Sequence, residues 1–256
     1  MPRTQGRGHS HATLDKAQGL SKLLSQHVNT VKVILEKHPY FPQRYYFIDA
    51  YAGPGYNEEE QCDGSPIIFL KTAKDRGIDY YAWFVEQDIE SVRELRKRIE
   101  EYTDCEVSPY KNAQAVPTIA RSLPENAYGL VYADPNGIPD FEMLSKVSRI
   151  DELDKFDILI RYNAAAVKRN EFQTGERMLD HLRKINKKYW IIREIRPSDK
   201  WQWTFLLGTN WKGLKAWKSQ GFLYAITPEG IKPEAADIIN ELNYTKDERT
   251  TLGGWQ

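Results

Sequence analysis

Seven consecutive residues, Asp49-Ala50-Tyr51-Ala52-Gly53-Pro54-Gly55, have the composition of a ligand-binding turn. They follow the apolar stretch 45–48, which is typical of a buried strand. Glycine in such a turn lets a ligand approach the backbone, and a carboxylate such as that of Asp49 can accept a hydrogen bond from an ammonium group. S-adenosylmethionine (SAM) carries an amino acid head group. The turn therefore predicts SAM as a cofactor.

Two positions further along the chain complete the predicted cofactor site. Glu86 ends the second predicted strand, where an acid can accept hydrogen bonds from both ribose hydroxyls of a nucleoside. It follows Gly55 by about 30 residues rather than the usual 20 or so, because the acidic insertion 57–64 intervenes. Asn112 is a candidate for the adenine ring, with a turn-forming asparagine as an equal alternative. The predicted cofactor-binding residues are Asp49, Ala50, Tyr51, Ala52, Gly53, Pro54, Gly55, Glu86, Gln87 and Asn112.

Asp134, Pro135, Asn136 and Gly137 end the fourth predicted strand and could position an amine for methyl transfer. Such a reaction needs an acceptor for the amine hydrogens and a rigid carbonyl that keeps the nitrogen lone pair aimed at the methyl group. The Asp134 carboxylate and the Pro135 carbonyl could supply them. Proximity and orientation would then carry most of the rate. We predict that these four residues are catalytic; a turn that merely closes a strand is the alternative, since this sequence also suits turns.

The surrounding pattern predicts the elements that hold these residues. Apolar periodicity predicts helices over 14–37, 65–76, 89–102, 113–122, 141–150 and 171–186, and strands near 45–48, 80–88, 105–107, 128–137, 156–165, 189–195, 201–210 and 221–227. Ser65 is expected to cap the second helix, and Ile89 to lie on the apolar face of the third. The alternation predicts a Rossmann-like α/β fold of the class I SAM methyltransferase type. We expect a mostly parallel seven-stranded sheet with an antiparallel terminal strand and helices on both faces.

Length and composition limit the possible classes of protein. The 256 residues are enough for one large domain, which we place at 14–230, with a flexible arm at 1–13 and a tail at 231–256. Formal net charge is zero, but residues 151–220 hold 15 Lys and Arg against nine Asp and Glu. The two cysteines form no metal-binding spacing, so no metal site is predicted, and they favour a reducing cytoplasm. No apolar run is long enough to span a membrane.

Three short motifs resemble those of a known family. The segments Gly53-Pro54-Gly55-Tyr56, Gly64-Ser65-Pro66 and Asp134-Pro135-x-Gly137 are similar to those of the three-Cys-motif partner proteins, a group of predicted bacterial methyltransferases. The resemblance covers roughly residues 18–170 and implies a SAM-dependent enzyme with a protein partner. A wider resemblance is to N6-adenine methyltransferases, whose catalytic loop is Asp/Asn-Pro-Pro-aromatic.

The chain departs from this wider pattern, since Asn136 and Gly137 replace the second proline and the aromatic ring. That ring normally stacks on the target base, which contributes about 1–3 kcal/mol. Tyr132, Tyr162, Trp201 and Trp203 are candidates to replace it. The residues predicted to bind nucleic acid are Arg161, Tyr162, Lys168 and Arg169, which follow or end the fifth strand; a solvated charged loop is the alternative.

These features predict a SAM-dependent methyltransferase that acts on the N6 amine of adenine in nucleic acid, with DNA favoured and the base flipped out of the helix. Two alternatives stay open. One is an RNA or small-molecule methyltransferase on the same fold, because the fold alone does not decide the substrate. The other is a SAM-binding module that works with a protein partner and has little catalysis of its own.

Overall fold

The computed structural model describes residues 12–135, 137–193, 196–197, 202–213, 215–219, 221–235 and 238. Most of the predicted arm and tail, together with Asn136 and Trp201, lie outside these residues. The helices are α1 Ala12–Lys37, α2 Ser65–Arg76, α3 Ile89–Arg98, α4 Asn112–Ser122, α5 Phe141–Ser148, α6 Ala164–Thr174, α7 Met178–Lys184 and α8 Lys215–Lys218. The strands are β1 Tyr45–Asp49, β2 Tyr56–Asn57, β3 Cys62–Asp63, β4 Tyr80–Val85, β5 Cys105–Ser108, β6 Tyr128–Ala133, β7 Phe156–Asn163, β8 Tyr189–Arg193, β9 Arg196–Pro197, β10 Gln202–Thr209, β11 Phe222–Thr227 and β12 Gly230–Ile231.

One large sheet organises the described residues. Its continuous path is β12-β11-β8-β10-β7-β6-β1-β4-β5, and β9 pairs with β10 beside that path. The four pairings from β5 to β7 are parallel, whereas β10 runs antiparallel to both β7 and β8. The predicted α/β fold with a mostly parallel core is confirmed. Two details of the prediction are wrong: more than seven strands join the sheet, and the antiparallel strand β10 lies inside it.

Helices cover both faces of the sheet, as predicted. On one face α1, α2 and α3 pack over the sheet, and the rings of Phe47 and Phe69 stack with their centroids 4.0 Å apart. On the other face α4, α5 and α7 close a second apolar layer. Among the described residues, no helix combines the length and apolar character needed to cross a bilayer.

The long helix α1 runs along the strands, from their carboxyl ends to their amino ends. Near its start, Lys16 reaches Asp134 beyond the carboxyl end of β6. Three turns later, His27 contacts Tyr45 at the start of β1 and Asp157 near the start of β7, at 2.7 and 3.0 Å. Leucines at helical spacing between these residues are buried, which explains why the amphipathic pattern of 14–37 was a reliable signal.

Three local predictions are wrong for identifiable reasons. The single helix expected over 171–186 is two helices, α6 and α7, because Gly175 adopts a left-handed conformation with φ 72° between them. Ile89 is 65% exposed because it lies in the first turn of α3, outside the buried face. Ser65 is the first residue of α2 and Gly64 is its cap.

Candidate functional site

The predicted acids meet at one edge of the sheet. Asp49 is the last residue of β1, and its neighbours β4 and β6 lead directly into Glu86 and Asp134. Because the three strands are adjacent and parallel, their carboxyl ends form a common edge, where ligands bind in open α/β sheets. The negative charges of Asp134 and Glu86 both raise the pKa of Asp49. The three acidic residues therefore lie near one another at this edge of the sheet.

The glycine turn after β1 is held by Glu86. The Gly53 amide donates to Oε2 of Glu86 at 2.9 Å, and the Asp88 amide donates to Oε1 at 2.8 Å. Gly53 and Gly55 have φ of 62° and 81°, in the left-handed region that favours glycine. A Cβ atom on Gly53 would meet no atom within 4 Å, so this side of the turn is open. The turn therefore presents free backbone surface to a ligand.

Asp49 has the properties expected of a receptor for a cation. Its side chain is fully buried, Oδ1 accepts a hydrogen bond from the Tyr51 amide at 3.1 Å, and Oδ2 has no hydrogen-bond partner among the described residues. Burial raises its pKa to about 7, against the opposing effects of the Ser65 side chain and the Tyr51 amide. A buried carboxylate oxygen without a donor is costly unless a ligand supplies one. The ammonium group of SAM fits this requirement.

Gly64 explains why the Gly64-Ser65-Pro66 motif accompanies the glycine turn. Its amide donates to the Gly55 carbonyl at 2.8 Å, and a Cβ atom at Gly64 would lie 2.9 Å from the carbonyl carbon of Gly55. No larger residue fits without moving the turn. Ser65 follows directly and acts on Asp49, so the motif supports the cofactor turn from the start of α2. This role was not evident from the sequence, because it depends on the β2–β3 hairpin that brings Gly55 and Gly64 into contact.

Tyr51 joins the cofactor turn to two helix starts. Its hydroxyl accepts a hydrogen bond from the Asp140 amide at 3.2 Å, just before α5, and interacts with the side chain of Asn112 at the start of α4. Asn112 also accepts a hydrogen bond from the Ala113 amide at 2.9 Å, so it has a turn-forming role as well. Asn112 thus lies at the predicted edge, whereas Gln87 is exposed beside Glu86. Their contact with a cofactor stays a prediction.

Asp134 is held by three donors. Lys16 Nζ lies 2.7 Å from Oδ2, Arg161 NH1 lies 3.0 Å from Oδ1, and the Tyr132 hydroxyl donates to Oδ2 at 3.1 Å. Burial raises the pKa of Asp134, but the charges and hydrogen bonds of Lys16 and Arg161 outweigh it and lower the pKa to about 2. Asp134 is therefore a permanent anion at physiological pH and too weak a base to remove a proton. Pro135 is buried behind it, and Gly137 is half-buried.

The structure corrects part of the predicted nucleic-acid surface. Arg161 points inward to Asp134 with its side chain 15% exposed, so it is an internal ion-pair partner rather than a phosphate contact. Tyr162 is 1% exposed and cannot contact a polymer. Tyr132 and Trp203 are also buried, so none of these three rings can stack on a target base. Their burial follows from their positions within central strands of the sheet.

The other two predicted contacts lie on α6, at the same edge. Arg169 is exposed and Lys168 is half-buried. The structure adds Phe172, which is 94% exposed and lies one turn beyond both of them. Asn170 on the inner side of α6 contacts His181 at 3.0 Å, and His181 stacks on Phe141 at the start of α5. Helix α6 is thereby tied to the segment that follows Asp134.

Lys16 is the site residue that sequence reasoning missed. A signal for it exists, because Lys16 precedes Leu20 by four residues and Leu23 by seven, which places it on the buried face of α1. A lysine in phase with buried leucines must find a partner or reach solvent. Only the folded arrangement shows that the partner is Asp134, which is remote in sequence.

Comparisons with solved structures identify the architecture. Protein LPL1258 (family-model DUF519) from Legionella pneumophila matches with a TM-score of 0.50 and 12% identity over 75% of this chain and 86% of its own. The bifunctional kinase-methyltransferase WbdD matches with a TM-score of 0.50 and 15% identity over 78% of this chain. The match spans only 40% of the WbdD chain.

At these identities the likeness concerns the fold alone. The chain has an α/β fold that it shares with a protein containing a methyltransferase. Neither a comparison with protein-family models nor one with curated proteins finds a match.

Proposed function

We propose that this protein is a SAM-dependent methyltransferase that acts on the N6 amine of adenine in nucleic acid, with DNA as the favoured substrate and the base flipped from the helix. The observation that carries the proposal is the set of acids at the ends of three adjacent strands. Asp49, Glu86 and Asp134 lie at one edge of the sheet, and a glycine turn with an open side follows Asp49 and is held by Glu86.

Several residues at this edge of the sheet would contribute to binding of the donor. The buried oxygen of Asp49 is available to the ammonium group, and the glycine turn allows the chain of the donor to lie against the backbone. Glu86 already accepts two backbone amides, and a carboxylate has about four lone-pair sites, so it can also accept the ribose hydroxyls. Asn112 and Tyr51 lie where they could border the adenine ring.

Methyl transfer requires little proton chemistry from this site. When bound, SAM would supply an electrophilic methyl group, and transfer of this group to the amine would release S-adenosylhomocysteine and one amine proton. Asp134 orients the amine by accepting one of its hydrogens, and the Pro135 carbonyl directs the lone pair. With a pKa of about 2, Asp134 acts as an acceptor and not as a proton store.

The exposed face of α6 supports a nucleic-acid substrate. Arg169 and Phe172 lie one turn apart and are both exposed, which combines a phosphate contact with a ring that can stack on a base. The contact of Asn170 with His181 ties this face to the start of α5. Phe172 could thus supply an aromatic contact that the loop 134–137 lacks.

The test is direct methylation. Protein, radiolabelled SAM and either DNA or RNA are incubated, the polymer is digested to nucleosides, and the label is identified. We expect labelled N6-methyladenine nucleosides from the wild type and none from Asp134→Ala, which removes the acceptor for the amine hydrogen. Donor binding measured by calorimetry should persist in this variant. Labelled nucleosides other than N6-methyladenine, or no label in any nucleic acid, would refute the proposed substrate.

A second candidate function is a SAM-binding module that acts through a protein partner. It is favoured by the engagement of both Asp134 oxygens, which limits access for a substrate, and it agrees with the resemblance to the three-Cys-motif partner proteins. Tight SAM binding without turnover on DNA, RNA or small amines would select this candidate over the first.

A further inference from the structure

A lysine from the first helix reaches the centre of the candidate active site. Lys16 lies 2.7 Å from Asp134 Oδ2, and its side chain is 28% exposed while that of Asp134 is 9% exposed. Helix α1 is anchored along its length by buried leucines, so the packing of the helix fixes the backbone position from which Lys16 reaches Asp134. The contact is therefore part of the folded core and not a chance pairing of mobile surface groups.

The donors that the described residues supply to Asp134 leave one acceptor site of its carboxylate open. A carboxylate offers about four lone-pair positions, two on each oxygen. Lys16 and Tyr132 occupy Oδ2, and Arg161 occupies one position on Oδ1. The remaining position on Oδ1 can accept a single hydrogen from a substrate amine. Removal of any of the three donors would let the carboxylate turn and present a different set of lone pairs.

We propose that Lys16 is a positioning residue for methyl transfer, which holds Asp134 ionised and oriented so that one lone pair of Oδ1 faces the amine. The inference rests on the proposed function for its chemistry and on the ion pair for its geometry. Lys16 does not touch the substrate; it acts through Asp134.

The charges around Asp134 set the expected pH dependence. Lys16 from α1 and Arg161 from β7 favour its ionised form, while Asp49 at the end of β1 and the Tyr132 hydroxyl on β6 lie close enough to feel its charge. Loss of one nearby opposite charge shifts a carboxyl pKa by about 1–3 units. Because burial also raises this pKa, the change in a Lys16 variant must be upward. Below the new pKa, Asp134 is neutral and no longer presents the same acceptor.

The experiment compares three variants of the full chain: Lys16→Met, Lys16→Arg and Lys22→Met. Lys22 is an exposed lysine on the same helix and serves as the matched control. At saturating SAM, we expect Lys16→Met to lower kcat by about 10- to 100-fold at pH 8, because a misplaced reacting group loses this much. The pH below which kcat falls should be about 1–3 units higher in this variant than in the wild type. In Lys16→Arg, kcat should fall at the same acidic pH as in the wild type. Lys22→Met should match the wild type over the whole pH range.

A second measurement does not depend on activity. In protein labelled with 13C-carboxyl aspartate, the Asp134 signal is assigned by its loss in Asp134→Asn and followed between pH 2.5 and 8. In the wild type the signal should stay mostly that of a carboxylate over this range. In Lys16→Met it should change to that of the protonated acid at a pH about 1–3 units above the wild-type pKa of about 2. If Lys16→Met does not fold, Lys16→Gln takes its place in both measurements.

The outcomes separate the two proposals. A kcat profile and an Asp134 signal in Lys16→Met that coincide with those of Lys22→Met would overturn the role of Lys16. Wild-type protein that methylates no nucleic acid would refute the proposed function instead, while the carbon signal would still report whether Lys16 controls Asp134.

Discussion

Asp49 makes binding of the methyl donor depend on pH in the neutral range. Burial raises its pKa to about 7, so the carboxylate that would receive the ammonium group is mostly protonated at pH 6 and mostly ionised at pH 8. If only the ionised form binds the donor well, the apparent affinity follows the ionised fraction, which changes about tenfold over this range. Affinity should therefore rise with pH.

The assay is isothermal titration calorimetry with SAM at pH 6, 7 and 8, on the wild type and on Asp49→Asn. An asparagine can still accept the Tyr51 amide hydrogen bond, and it does not titrate. Titration of the groups of SAM itself is common to both proteins, so the ratio of the two Kd values isolates Asp49. We expect that ratio to change by about tenfold in favour of the wild type between pH 6 and 8. A constant ratio would refute the assignment of Asp49 as the ammonium receptor.

The same shift predicts how stability depends on pH without a donor. Since the folded protein binds the Asp49 proton more tightly than the unfolded chain does, the free energy of unfolding should fall as pH rises from about 4 to 7. The three-unit increase in pKa corresponds to a loss on the order of 4 kcal/mol. In Asp49→Asn, the free energy of unfolding measured by chemical denaturation should not show this fall with pH. A wild-type curve parallel to that of the variant would show that Asp49 is not buried as an acid.

Three further predictions concern the rest of the site. Glu86→Gln should weaken SAM binding by calorimetry at least about tenfold, since it removes charged acceptors from Gly53 and the ribose; unchanged affinity would exclude this role. Gly64→Ala should lower the free energy of unfolding by about 1–3 kcal/mol because its Cβ collides with backbone, whereas Gly213→Ala, with no atom within 4 Å, should not. Phe172→Ala should weaken DNA binding by about 1–3 kcal/mol in fluorescence anisotropy without altering SAM affinity; equal DNA affinity would remove α6 from the interface.

The sheet and the placement of its acids were predictable because both follow from local pattern. Buried strands that end at Asp49 or lead directly into Glu86 and Asp134 alternate with amphipathic helices, and parallel strands must bring their carboxyl ends together. The helix 65–76 was predicted at its true bounds, since Pro66 and the left-handed Gly77 mark its ends.

The remaining features depend on contacts between distant segments. Arg161 looks like a phosphate contact in sequence, and only the proximity of Asp134 turns it inward. Strand β10 lies between β7 and β8 because it pairs with both. The short connection between β8 and β10 in the sequence does not show that β10 also pairs with β7. The role of Lys16 likewise depends on a partner far along the chain, and that of Gly64 on the backbone contact with Gly55 across the β2–β3 hairpin, so both required the folded structure.

The most direct test of the central claim is a crystal structure of the protein with S-adenosylhomocysteine, the product form of the donor. The account predicts its ammonium group within hydrogen-bond distance of Asp49 Oδ2, its ribose hydroxyls on Glu86 and its chain against Gly53. A ligand bound away from the carboxyl end of β1, or no bound ligand at millimolar concentration, would contradict the proposed donor site.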